Sequence, residues 1–337
     1  MGNNLVVQAA STPNDSGGVV SPPLTASAPP PAATSGASPA SKSTDSQKTT
    51  KKTNPGVFED LHKRCKDLFP APFDGFRLCV NKGLSNHFQV SHTLNLSSAP
   101  QGTSYHFGAT YVGGNQTSPT EAYPVILGDI DNSGSLSAQI IHQFTNRIKG
   151  KCVVQTQQKE FAMVQVDADY RGDDYTATCT LGNIDVINES GIIVNHYLHQ
   201  LTENLDVGAE LLYHYGQGQE SAVLSLASRY STEKWVAAGQ INPAGWHASY
   251  YHKGNDNISV GVDYEYSSRM QDSCVSLGYQ VDIPKANVTF RGLVDTNWTV
   301  AGFFEKRLHP LPFTFLLSGM INHQKNQSRF GFGLQIG

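Results

Sequence analysis

From Arg77 to the last residue, apolar and polar side chains alternate with a period of two, and no stretch of helical periodicity interrupts the pattern over about 260 residues. Few architectures accept so long a succession of strands. Segments of about ten residues are set apart by turn-forming clusters. These are Gly113-Gly114-Asn115, Asp131 to Gly134, Arg171-Gly172-Asp173, Gly216-Gln217-Gly218, Asn242 to Gly245, Gly254 to Asn257, Ile283-Pro284-Lys285 and Asn322 to Asn326. At roughly 13 or 14 residues per strand and turn the run holds about 18 to 20 strands, with about 19 read from the turns. A single all-β domain over 77–337 is expected.

The face that carries charge separates a soluble sheet from a membrane one. Val164, Val166, Ala168 and Tyr170 oppose Gln165, Asp167 and Asp169. Val207, Ala209, Leu211 and Tyr213 oppose Asp206, Glu210 and His214, and Val260, Val262 and Tyr264 oppose Asp263 and Glu265. Further on, Asp282, Asp295 and Glu305 again fall on the polar side, while Lys306 is an exception near a strand end. A soluble sandwich alternates too, but most soluble domains of this length contain some helix. In lipid the pattern has a direct cause, because each ionised group on an outer wall costs a few kcal/mol near the midplane. Charged residues make up only 15% of the chain, which suits strands with one apolar and one neutral-polar side. No run of about 18 apolar residues is present, so a membrane role points to a barrel rather than helices. Tyr170, Tyr213, Tyr266 and Trp298, near strand ends, are placed as interfacial aromatics.

The final ten residues alternate strictly, with Phe330, Phe332, Leu334 and Ile336 on one face. A terminal strand leaves an open edge unless it pairs, and barrel closure removes edges altogether. The spacing of Arg329, Gly331, Leu334 and Ile336 resembles the C-terminal sorting signal of mitochondrial outer-membrane β-barrels.

Residues 1–53 are rich in Pro, Ser, Ala and Thr and nearly without aromatics, so a disordered tail is expected there. Over 54–76 the periodicity is helical. Phe58, Leu61, Cys65 and Leu68 line one face of an amphipathic helix that Pro70 ends, and its packing on the main domain is expected.

Enzyme signatures are lacking. The five cysteines are scattered, without a Cys-x-x-Cys pair, so neither a disulfide framework nor a zinc centre is expected. Asp129 to Gly134 matches half of an EF-hand loop but carries Ile140 at the twelfth position, and a hairpin turn is the reading. His196 and His199 would face opposite ways on a strand. No nucleophile elbow or phosphate loop occurs, so no enzyme activity, cofactor or metal is expected. The net charge of −4 argues against nucleic acid as a partner.

Several local strings resemble the pore-forming subunit of the translocase of the outer mitochondrial membrane. They are Lys82 to Val90, Tyr105 to Gly108, Ser118 to Glu121, Gly128 to Gly134, Tyr250 to Lys253 and Arg269 to Asp272, with the helix Phe58 to Phe69 also similar. The resemblance implies a transmembrane β-barrel of 19 strands in that membrane, its first and last strands parallel and the amphipathic segment in or along the lumen. It also implies a conduit for unfolded precursor proteins from cytosol to intermembrane space, with paired pores, a central receptor and small single-helix subunits as partners.

The residues themselves add a mechanism. Asp167, Asp169, Asp206, Glu210, Asp263, Glu265, Asp282, Asp295 and Glu305 are expected to line the lumen as an acidic wall that attracts basic presequences. A unit charge about 10 Å away in water contributes roughly 0.4 kcal/mol, cut to around a third by salt. About eight carboxylates then supply on the order of 1 kcal/mol, enough for steering and transient binding. The alternative function is an anion and metabolite porin of the voltage-dependent anion channel type.

Overall fold

A computed structural model describes residues 54–97, 102–118, 121–157, 160–185, 190–216 and 218–337. The expected tail over 1–53 lies outside these described residues. Nineteen strands follow one another as a meander. The first seven are β1 (Gly75–Gly83), β2 (Phe88–Leu96), β3 (Ser104–Ser118), β4 (Glu121–Asp131), β5 (Leu136–Thr145), β6 (Ile148–Gln157) and β7 (Glu160–Arg171). Next come β8 (Tyr175–Asp185), β9 (Ser190–Thr202), β10 (Leu205–Gly216), β11 (Gln219–Ser231), β12 (Trp235–Asn242) and β13 (Gly245–Asn255). The last six are β14 (Ile258–Ser267), β15 (Asp272–Ile283), β16 (Val288–Asp295), β17 (Thr299–Leu308), β18 (Phe313–Asn322) and β19 (Gln327–Ile336).

Consecutive strands pair antiparallel, and β1 pairs with β19 to close the sheet. With an odd number of strands in a meander, the first and last run the same way, so the closing pair must be parallel. Gly75 to Val80 accordingly match Gly331 to Ile336 in parallel register. Phe332 stacks on Phe76 at 5.7 Å and meets Phe315 edge-on at 4.7 Å, so aromatic rings cover the outside of the joint. β1 starts at Gly75, ahead of the expected Arg77.

One sequence expectation changes. Gly113-Gly114-Asn115 is not a turn but lies inside β3, where the register with β4 slips between Val112 and Asn115. A side chain on Gly113 would strike the Tyr123 carbonyl and the Pro124 ring, so the glycine serves close backbone approach rather than chain reversal.

The two faces of the wall differ as alternation requires. Leu211, Leu224, Leu226, Ile241, Leu277, Val294 and Val300 are exposed on the outside. On the opposite face Thr176, Thr178, Thr180, His196, Ser225, Ser249 and Asp263 are buried. Aromatic contacts gather toward both rims. Tyr170, Tyr175 and Tyr197 follow one another at 5.9 Å on one rim, continued by Tyr230, Trp235 and Tyr250 at 5.1 and 6.0 Å. The other rim holds Trp246 against Tyr266 at 5.7 Å.

Leu211 sits midway along β10 facing out, beside Leu224. Leu211→Arg should therefore destabilise the barrel in lipid by about 2–4 kcal/mol, whereas Gln139→Arg on the inner face of β5 should be nearly neutral. Denaturant unfolding in vesicles measures both, and equal effects would contradict the assignment of faces.

Candidate functional site

The chain from Asn54 to Phe73 runs along the inner wall from one rim to the other. Asn54 begins at the β7–β8 turn, where its amide donates to the Gly172 carbonyl at 2.8 Å, and its side-chain oxygen accepts from the Thr176 hydroxyl at 3.0 Å. Phe73 ends beside β18 and β19, with its backbone N–H donating to Ser318 Oγ at 3.0 Å. The expected continuous helix is broken into a 3-10 turn at Phe58–Asp60 and a short α1 (Lys63–Lys66), neither with a side-chain cap. A helix this short cannot recover its nucleation cost from internal hydrogen bonds alone, so wall contacts dictate its shape.

Phe58, Leu61, Cys65 and Leu68 all turn to the wall and are at most 5% exposed. Phe58 stacks on His196 at 5.0 Å and packs with Leu61 against Leu198 and Ala227. Glycines on the inner face make the room. A Cβ at Gly208 would come within 3.1 Å of Phe58, at Gly261 within 2.8 Å of Leu68 and 2.9 Å of Cys65, and at Gly278 within 2.5 Å of Phe69. Gly331 and Gly333 do the same for Phe73, whose ring also takes the Arg77 guanidinium at 4.5 Å. The glycine of the terminal sorting-type pattern thus has a packing reason: a side chain at 331 would collide with the Phe73 backbone. In the same strand Leu334 and Ile336 lie in register with Leu78 and Val80 at the closure, and Arg329 sits opposite Met320.

Three of the nine carboxylates lie beneath this segment. Asp206 accepts two bonds from Arg229, at 3.0 and 2.7 Å, and Arg229 also donates to the Pro55 carbonyl. Glu210 accepts from Ser225 at 3.1 Å and lies 3.1 Å from the same His196 that carries Phe58. Asp263 lies 2.7 Å from His247, whose ring contacts His62 of the segment at 3.9 Å. Each of these acids thus meets the segment through one wall residue, Arg229, His196 or His247.

The remainder divide. Asp167 and Asp169 stand opposite Lys151 and Lys149, with Asp167 at 3.5 Å from the Lys151 amine. Glu305 is 3.4 Å from Arg307. Asp282 accepts from Gln280 and Thr289, and Asp295 accepts the Thr299 N–H, each at 2.8 Å. Glu265 keeps 64% of its side chain exposed. Of these six acids, Asp169, Glu265, Asp282 and Asp295 form no Lys or Arg bridge among the described residues; Asp169 accepts instead from the Thr178 hydroxyl at 2.8 Å. On the open side, inner positions of β4 to β6 include Val125, Leu127, Ile141 and Val153, so that part of the wall is apolar.

Sequence reasoning passed over His62, Arg229, His247 and Ser249. Their roles come from pairings between neighbouring strands and with the segment resting on them, which no local spacing announces. His62 is 7% exposed, with its Nδ1 2.7 Å from Ser249 Oγ.

A closed barrel with an apolar exterior, a polar and charged interior and a segment lodged along its inner wall is a membrane pore. The chain belongs to the eukaryotic porin family, whose model matches residues 54–333. Among its relatives, the "Mitochondrial import receptor subunit TOM40 homolog" of Xenopus laevis is 54% identical over 284 residues, covering 84% of each chain. The Homo sapiens protein of the same name is 54% identical over 84% of this chain and 78% of its own. Homo sapiens "Mitochondrial import receptor subunit TOM40B" is 49% identical over 84% of this chain and 92% of its own.

Proposed function

We infer that this chain is the protein-conducting channel of the mitochondrial outer membrane, passing unfolded precursor proteins from the cytosol to the intermembrane space. The carrying observation is its 54% identity, over 84% of its length, to relatives named as mitochondrial import receptor subunits. The closed barrel with a polar interior suits that role. As a translocase member it works with other subunits, and we propose a central receptor, small single-helix subunits and a second pore as its neighbours in the lipid.

Weak capture of basic presequences is assigned to carboxylates that the inner segment leaves uncovered, chiefly Glu265, Asp282 and Asp295. A threaded polymer needs attraction that steers without holding, because tight binding would block exit. Reversing these three to Lys changes the wall by six charge units, which at roughly 0.1 kcal/mol each predicts about a threefold loss of presequence affinity. Block of single channels by a basic amphipathic peptide in planar bilayers measures this. Unchanged block would leave the acids only the task of keeping the pore wet. Anion selectivity without any peptide block would instead favour the metabolite porin.

A further inference from the structure

We propose that His62, His247 and Asp263 form a binding site for a divalent transition metal of the zinc class, tying the inner segment to β13 and β14. The three donor groups come within 4.8 Å of one another. His62 is 7% exposed, and its Nε2 is buried without a hydrogen-bond partner, while its Nδ1 lies 2.7 Å from Ser249 Oγ. That arrangement fits a metal ligand: Nδ1–H donates to the hydroxyl, which sets the tautomer and leaves the Nε2 lone pair free. An orphaned nitrogen in such a place otherwise costs about 1–3 kcal/mol.

The other two groups complete the chemistry. His247 Nε2 stands 2.7 Å from Asp263 Oδ1 and 3.7 Å from Glu265 Oε1. Two imidazoles and a carboxylate are ligands that zinc accepts, with water or Glu265 for the fourth position. Tetrahedral ligands about 2.0–2.1 Å from zinc lie about 3.3 Å from each other, so the groups must open or close by on the order of 1 Å. On binding, His247 presents the Nε2 lone pair with its ring proton on Nδ1, the Nε2 contact with Asp263 is given up, and both atoms then face the metal. The neighbouring Lys66 opposes a cation, whereas Asp263 and Glu265 favour it. Magnesium is a poor fit, since it prefers oxygen ligands and retains its waters. The consequence is a cross-link between the segment and the barrel wall, so metal would hold the segment inside the lumen.

The sequence alone suggested no metal, because His62 and His247 are far apart along the chain and neither sits in a recognised ligand spacing. The test is calorimetric titration of zinc chloride into the full chain in lipid nanodiscs, with magnesium chloride as comparison. One zinc per chain at micromolar affinity or tighter is expected. His62→Asn and His247→Asn should each weaken it by at least about 100-fold, and Ser249→Ala by about 10- to 100-fold. Labelling of Cys65 by maleimide should slow when zinc is added to the unsubstituted chain and not in the His62→Asn variant. Absence of saturable single-site binding overturns the proposal. So does affinity unchanged by Ser249→Ala, which applies even where the histidine variants fail to form channels.

Discussion

Deleting β19 (Gln327–Ile336) is expected to abolish channel formation, leaving protein that carbonate extracts from membranes or that aggregates. Two ladders disappear together: the parallel pairing with β1 and the full antiparallel pairing with β18. The freed edges carry rows of unpaired N–H and C=O groups. In water such edges invite aggregation, and in hydrocarbon each unsatisfied group costs several kcal/mol. The total far exceeds the roughly 5–15 kcal/mol of stability a folded domain commonly has, so a slightly smaller barrel is not the expected outcome. Leu334→Pro gives a graded version. It removes one ladder donor from within β19, a strand paired on both sides where proline has no place, and should cut the yield of inserted channels more than tenfold. Normal conductance from the deleted chain would be incompatible with closure through β1 and β19.

The second large effect should come from filling the glycine track. Burial of Phe58, Leu61, Leu68 and Phe73 against the wall contributes about 1.5–3 kcal/mol for each side chain, or about 6–12 kcal/mol together. Gly261→Val and Gly278→Val would each cost about 1–3 kcal/mol through collision with the segment, and Gly208→Val a similar amount through Phe58 together with the Tyr197 carbonyl and Leu198 of the wall. The two sums are comparable. In the triple variant the segment should therefore spend much of its time off the wall, while the barrel persists, because valine suits a strand. Cys65 reports the change directly. It is 2% exposed, so it should resist maleimide in the unsubstituted chain. With the other four cysteines replaced by Ser, the triple variant should react at least about 100-fold faster. An unchanged rate would mean that the glycines do not seat the segment.

These expectations also mark what was open to reading from the primary structure. The outer and inner faces of β7, β10 and β14 could be assigned before any coordinates, because residues two apart share a face wherever the strand lies. The hairpins at Asp131 to Gly134 and Asn242 to Gly245 were visible for a similar reason: turn chemistry is local. Gly113 and Gly114 misled, since a glycine pair looks alike in a turn and at a bulge, and only the neighbouring strand tells them apart. The same limit applies to the acids. That Asp206, Glu210 and Asp263 point inward followed from alternation, but their engagement by Arg229, His196 and His247 depends on which strand stands alongside and in what register.

By itself the sequence determined an all-β pore with apolar side chains outward, about 19 strands, and a short amphipathic segment with Phe58, Leu61, Cys65 and Leu68 on its packing face. Strand phase and helical stripe are set by bonds and side chains within a few residues. Only the tertiary structure decided the parallel closure, the path of the segment over Gly208, Gly261, Gly278 and Gly331, and the meeting of His62 with His247 and Asp263. Those features depend on register summed around the whole ring, where slipping one strand by a single residue would exchange every inward side chain for an outward one.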